Sequence, residues 1–323
     1  MCGWTPASNP EPMRRTFRAA LALCATGAVT AVASDMPLPA LERMARNVRE
    51  SNYSGIFTYE QGQHLRSARI VHAVVDGVEH ERLQGLDGAA REFLRREHPL
   101  DCRHAGHRLL REGRDALAVA GNPGLGQYYF LEFDGAERVA SREGRKLRIS
   151  PRDPYRYGMN LVLDKDSALL LKAETTDGAG RVLERFQFIE LEVGGAAPAT
   201  IAAAGPGARV EPDHSRPDGT QEETFDWSVS WLPAGFAESA RERQRGAAGE
   251  AVETRMYTDG LAVFSVFVER QSDAAVARPG QAVQGATIAY VTPRPPAGLV
   301  TVVGEIPPET ARLVANAVSF AAP

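Results

Sequence analysis

The stretch Val252–Arg270, VETRMYTDGLAVFSVFVER, constrains this chain more than any other. Two strand-like arms meet at Asp259-Gly260. An Asp-Gly pair between such arms is a hairpin signal, because a type I′ turn needs φ > 0 at both central residues. The second arm, Leu261 to Val268, is apolar apart from Ser265. An arm without polar alternation has no solvent face and needs cover on both sides. Two covers flank it. Upstream is Trp227–Phe236, WSVSWLPAGF; downstream is Leu299–Ile306, then a helix opening at Pro307-Pro308. The prolines suit a first helical turn and Glu309 suits its dipole. Ala311, Val314, Ala315 and Val318 supply its apolar stripe. The expectation is a small α+β core holding Trp231, Phe236, Tyr257, Phe264 and Phe267.

The 323 residues leave room for a second domain, and 43% apolar with 24% charged content is ordinary for a globular protein. A net charge of −4 argues against a general nucleic-acid binder, which needs a basic face. Residues 1–33 read as a signal peptide. Arg14, Arg15 and Arg18 make the positive region, Ala19–Val32 is apolar but too short to span a bilayer, and Ala31-Val32-Ala33 is a cleavage site. Met13 directly precedes this signal, so residues 1–12 are a candidate upstream mis-start. Arg14-Arg15 gives a weak twin-arginine signature, and a Sec signal is preferred. Removing the signal removes Cys2 and Cys24, leaving Cys102 without an intrachain disulfide partner.

Along the mature chain, Pro37–Asn52 reads as an amphipathic helix through Leu38, Leu41, Met44, Ala45 and Val48. Segments with the two-residue period of strands follow: 55–60, 65–75, 78–86 and 89–97, separated by Gly62, Asp76-Gly77 and Asp87-Gly88. Segments 128–133, 159–164, 168–176 and 182–191 continue the series. Short turns between successive strands predict an antiparallel meander, curved, with the helix on one side. Lys172, Glu174, Glu184 and Arg185 place one face of the late strands toward water. Residues 194–223 are rich in Ala, Gly, Pro and polar residues and read as a linker. About 30 flexible residues give a mean end separation of roughly 30 Å. The last domain is 224–323.

Little catalytic chemistry is written in the chain. It has no G-x-S-x-G elbow, Walker loop, H-E-x-x-H or C-x-x-C. Cys102, His104 and His107 are the nearest approach to a zinc cluster, and they lack the paired spacing of a structural site; a solvated loop is the preferred reading, with no metal and no cofactor. His64, His72 and His80 read as surface or cross-strand neighbours, and Glu79, Glu81 and Arg82 as an exposed strand face. An enzyme is not expected.

Several motifs together resemble one family. They are Tyr53–Tyr59 (YSGIFTY), Glu81-Arg-Leu with Leu86-Asp-Gly88 and Arg91–Arg96, Arg156-Tyr-Gly with Leu161–Asp164, Leu170–Glu174 and Gly180–Phe188. The end of the chain adds Trp231–Phe236, Tyr257–Val266 and Val303–Ala311. The set is similar to the RseB/MucB family, periplasmic negative regulators of sigma-E, in order over nearly the whole mature chain.

The resemblance implies two domains of α+β class. Residues 34–193 would form an unclosed antiparallel β-barrel packed with helices, like the carriers LolA and LppX. Residues 224–323 would form a smaller α+β unit that binds the periplasmic tail of a membrane anti-sigma factor of the RseA or MucA type. Binding would shield the tail from site-1 proteolysis, and lipid or lipopolysaccharide would release it. Phe57 and Tyr59, two apart on one strand and so on one face, are the candidate lipid contacts. Homo-oligomerisation is left open. The alternative function is a periplasmic lipid or lipoprotein carrier. Exported and cleaved after Ala33, the protein should show an N-terminus at Ser34 by mass spectrometry of the periplasmic fraction; an intact N-terminus in the cytoplasm would refute export.

Overall fold

The computed structural model describes residues 36–88, 92–96, 124–195, 209–210, 225–245, 251–270, 278–294 and 298–321. The signal peptide, the cluster of Cys102, His104 and His107, and all of the linker except residues 194–195 and 209–210 lie outside them.

Helix α1 (Pro37–Glu50) opens with proline in its first turn and closes where the Ser51 N–H bonds to Asn47 O. Its buried stripe is Ala40, Leu41, Met44, Ala45 and Val48. Ten strands follow: β1 (Tyr53–Gln61), β2 (His64–Val75), β3 (Val78–Gly85), β4 (Glu92–Arg96), β5 (Tyr129–Val139), β6 (Arg142–Pro151), β7 (Gly158–Asp164), β8 (Leu170–Thr176), β9 (Val182–Val193) and β10 (Arg209–Val210). They form one sheet in the order β10-β4-β3-β2-β1-β9-β8-β7-β6-β5. Two meanders are joined where β9 returns antiparallel beside β1. The end strands β5 and β10 do not pair, so the barrel is unclosed among the described residues. One face packs with α1 around Leu147, Ile149, Leu161, Leu170, Phe186 and Phe188. The other carries ion pairs: Lys172 with Glu137 and Glu174, and Arg185 with Glu174 and Glu60.

The turn at the end of β7 is built on Asp164. Its carboxylate takes two bonds from Arg142 and two from Ser167. Burial pushes this carboxyl up, but the bonds from Arg142 and Ser167 outweigh that and hold it below the usual carboxylate range.

The second unit contains β11 (Trp227–Val229), β12 (Ala237–Arg245), β13 (Ala251–Thr258), β14 (Val263–Glu269), β15 (Gly280–Gln284), β16 (Thr287–Arg294), β17 (Gly298–Gly304), α2 (Pro308–Asn316) and β18 (Val318–Phe320). Six strands make a sheet, β12-β13-β14-β17-β16-β15, while β11 pairs with β18. Phe264, Val266 and Val268 of β14 face a core completed by Trp227, Phe236, Tyr257, Ile306, Ala311, Val314 and Ala315.

Several expectations are corrected. Asp259-Gly260 is not a two-residue turn: Thr258 pairs with Val263 across a four-residue loop, and only Gly260 has positive φ. The opposite face of β14 is half-buried, so Phe267 stands outside the core cluster, and Trp231 packs half-buried at its margin. Val318 belongs to β18, not to the helix. His72 and Glu81 are buried, His72 stacked on Tyr53 with Nδ1 2.8 Å from Ser51 O. Glu184 is buried too, on the opposite face from Arg185. Phe264→Ala should cost about 3–5 kcal/mol, read from urea unfolding; an unchanged midpoint would contradict its place in the core.

Candidate functional site: polar junctions between the two sheets

The two sheets meet at two buried polar centres, with apolar contacts such as Leu261 on the large-sheet core beside them. The first junction centres on Arg156, in the connection between β6 and β7, whose side chain is 0% exposed. Its Nη1 donates to Asp153 Oδ2 at 2.5 Å and its Nη2 to the Ala234 carbonyl of the second unit. Its Nε lies 2.9 Å from Asp259 Oδ2, close enough for an ion pair though off-axis for a linear hydrogen bond. The guanidinium is sandwiched among the rings of Tyr128, Tyr129 and Phe236, with centroids 5.0–5.5 Å away. Such aromatic faces attract a desolvated cation.

Asp259 explains why the β13–β14 loop departs from a tight turn. Its Oδ1 accepts from the Leu261 and Ala262 N–H groups at 2.9 and 2.8 Å, bending the loop around the carboxylate. Thr258 Oγ1 donates to Ala262 O and accepts from Gly260 N. That leaves Oδ2 aimed at the large sheet, where Tyr129 Oη donates to it at 2.8 Å. Burial first, and then the Asp259 charge, push the Tyr129 phenol well above its ordinary range, so it stays a donor. Around this centre Thr310 Oγ1 donates to Tyr155 O at 3.1 Å, and Trp231 meets Tyr155 edge-to-face at 5.2 Å. Gly235, at φ +91°, lies where a Cβ would come within 2.5 Å of the Tyr128 ring, so no other residue fits there.

The second junction centres on Glu184 of β9. Tyr59 Oη donates to Oε2 at 2.7 Å, while Gln61 Nε2 and the Ala286 N–H both donate to Oε1 at 2.9 Å. Gln61 also reaches Gln284 O at 3.3 Å. Ala286 and Gln284 belong to the β15–β16 turn, so a buried carboxylate of the large sheet is satisfied by a backbone donor from the small one. Burial, with Asp177 and Glu184 nearby, pushes the Tyr157 phenol up to about 12.

The residues expected to contact lipid and to build the second core fall around these junctions. Phe57 and Tyr59 do share a face, the one that packs with α1. Phe57 is half-buried, with its ring 4.9 Å from Phe186 and 6.0 Å from Phe188. Tyr59 is buried with its hydroxyl committed to Glu184. In the second unit Phe236 and Tyr257 pack on Phe264 at 5.1 and 5.3 Å. Phe236 also faces Arg156, and Trp231 bridges to Tyr155. Sequence reasoning missed Arg156, Asp259, Tyr129 and Glu184 as a set. A signal existed for one: an Asp in a loop between apolar strands must find donors when buried. Among the described residues no three His, Cys, Asp or Glu side chains group to hold a metal.

The model of the MucB/RseB N-terminal domain matches residues 37–206 and that of the MucB/RseB C-terminal domain matches residues 221–319. The chain belongs to the MucB/RseB family. It is 35% identical to the sigma factor AlgU regulatory protein MucB of Pseudomonas aeruginosa, over 85% of this chain and 88% of that one. It is 30% identical to the sigma-E factor regulatory protein RseB of Salmonella typhimurium, over 87% and 90%. A crystal structure of MucB in complex with MucA(peri) matches with a TM-score of 0.73 and 33% identity, covering 89% of this chain and all of that one. Both units of this MucB/RseB chain are thus matched.

Removing the carboxylate of Asp259 leaves Arg156 buried with one acidic partner fewer and Tyr129 without an acceptor. Asp259→Ala should therefore cost about 3–5 kcal/mol in unfolding free energy. A cost under about 1 kcal/mol, the scale of an exposed pair, would show that the junction is not held in solution.

Proposed function

We propose that this protein is a periplasmic regulator that binds the periplasmic segment of a single-span anti-sigma factor, shields it from site-1 proteolysis and so represses the sigma-E response. The observation that carries this reading is the likeness, over both units, to a MucB captured with MucA(peri). The relatives are regulatory proteins by name, and the reading assigns this chain binding rather than catalysis. Residues 1–33 act as the export signal, 34–193 as the lipid-sensing domain, 194–223 as a tether and 224–323 as the tail-binding domain.

Lipid or lipopolysaccharide is the releasing ligand in this proposal. Phe57, half-buried over the buried rings of Phe186 and Phe188, offers the partly exposed aromatic surface on the α1 side of an unclosed sheet, and acyl chains would enter there. Burying about ten methylenes is worth roughly 8 kcal/mol before ordering costs. A micromolar partner is held by about 8.2 kcal/mol at standard state. The ligand displaces the tail only to the extent that it binds the tail-free arrangement better. Glu184 makes such a difference physical. Tyr59, two residues from Phe57 on the same face, hydrogen-bonds the carboxylate that holds the β15–β16 turn, so a chain wedged against this strand strains the second junction. The same aromatic surface supports the second reading, a lipid or lipoprotein carrier.

Digestion of the purified anti-sigma periplasmic segment by its site-1 protease separates the two. Full-length protein should protect the segment, and lipopolysaccharide or a long-chain acyl lipid should restore cleavage. Lipid binding with no protection of the segment would leave the carrier reading and remove the regulator.

A further inference from the structure

Sheet edges in this protein are unequally defended. A free edge offers unpaired N–H and C=O groups, and folded proteins blunt such edges with charge, proline, bulges or brevity. Strand β5 has a bulge between Phe133 and Ala136 and carries Glu132, Asp134, Glu137 and Arg138. Strand β12 has a bulge between Glu238 and Ala240 and carries Glu238, Arg241, Glu242, Arg243 and Arg245. Strand β10 has two residues, and β11 and β18 have three each. Strand β15, Gly280-Gln-Ala-Val-Gln284, is different. It has no charge, no proline and an unbroken register against β16, and its outer side is unpaired among the described residues.

Its side chains point the same way. Cross-strand partners share a face, and the row Tyr257, Phe264, Gly304, Ile288, Val283 crosses five of the six strands, from β13 to β15. Phe264 and Ile288 are almost fully buried, whereas Val283 at the end of the row is 53% exposed. The core row therefore runs out to the edge and stops uncovered. A further strand laid on β15 would place a side chain beside Val283 and continue the row.

We propose that β15 is a docking edge for an extended segment of the anti-sigma periplasmic tail, which adds to the small sheet as a seventh strand. This rests on the regulator reading above and names where that partner binds. Two observations favour a tail over a second copy of this chain. The edge is five residues long, about 17 Å at roughly 3.4 Å per residue, too short to supply by itself the ~1,000 Å² that an interface between folded copies needs. A tail needs only the main-chain bonds and one or two side-chain contacts at each place it touches. The edge is also continuous with the second junction. Gln284 O accepts from Gln61, and the Ala286 N–H binds Glu184. A segment paired along β15 therefore ends beside the β1–β2 hairpin of the large sheet, where the lipid-facing strand also ends. The segment that fits is neutral or apolar at alternate positions and free of proline at its bonding positions.

The test uses full-length protein and the purified anti-sigma periplasmic segment. Amide hydrogen exchange should show new protection at residues 281–284 when the segment is added. Val283→Lys places a charge on the edge and should weaken binding roughly tenfold or more without moving Tm, while Val283→Thr should stay close to wild type. Binding by wild type with no protection of 281–284, or with Val283→Lys unaffected, would overturn the edge assignment and leave the regulator reading standing. No binding by wild type would remove that reading, and this proposal with it. A wild-type dimer that Val283→Lys converts to monomer, with the segment absent, would assign the edge to a second copy and overturn the tail.

Discussion

The arrangement of the two sheets depends on one carboxylate. Asp259 uses one oxygen to shape its own loop and the other to hold Tyr129 and Arg156 of the large sheet. The local conformation of the small unit and its attachment to the large one are therefore the same structure seen from two sides. A buried ion pair is a poor source of net stability, because desolvation offsets most of the Coulomb gain. Its effect lies in geometry. An apolar seam tolerates sliding, whereas a guanidinium that must satisfy Asp153, Ala234 O and Asp259 at once accepts few orientations. The three surrounding rings exclude water, which strengthens the pairing and makes a misaligned arrangement expensive.

The second junction is built on different chemistry. Glu184 is satisfied by a phenol, an amide and a backbone N–H, with no cation among those donors. Each bond is a charge-assisted contact, stronger than a neutral pair, but no opposite charge stands among these donors. The two attachments are thus unequal, one ionic and caged by aromatics, the other a fan of neutral donors at the end of β1. A disturbance near Tyr59 would reach the Glu184 attachment first, because Tyr59 Oη donates to Glu184 and not to the Arg156 cage.

Much of the architecture was legible because local rules sufficed. Asp76-Gly77 is a two-residue turn with both φ values positive, as its sequence says. Asp259-Gly260 reads identically and is not one, because Asp259 Oδ1 takes the Leu261 and Ala262 N–H groups and bends the loop while Oδ2 meets Tyr129 and Arg156. Strand β6 was missed for the opposite reason. It follows Ala140-Ser141, which adopt positive φ at 50° and 61° without the glycine that would have flagged a hairpin. Alternation located the faces of β8 and β9 but misplaced Glu184, since a charged residue at an inward position looks like one more surface residue until its donors are known. Trp231 and Phe267 show the same limit on apolar residues: hydrophobicity does not say whether a ring lies at the centre of a core, at its rim against another unit, or on the far face of a sheet. The two-unit division and the helix stripe needed no partner to be read. The junctions did, because each includes a bond between residues more than a hundred positions apart.

That separation also bears on how a signal crosses the molecule. A hundredfold loss of affinity needs a differential of only about 2.7 kcal/mol between two arrangements. A buried polar junction changes by amounts of that order when it opens, since groups left unpaired bear their full desolvation cost. It also changes in steps, because a donor either reaches its acceptor or does not. An apolar interface of the same area would yield gradually and couple weakly. In the regulator proposed above, the polar character of these junctions is what would let a ligand on one face of the large sheet alter the small sheet some distance away. The β15–β16 turn is the element both would share. It is fastened to Glu184 on one side and carries the undefended edge on the other.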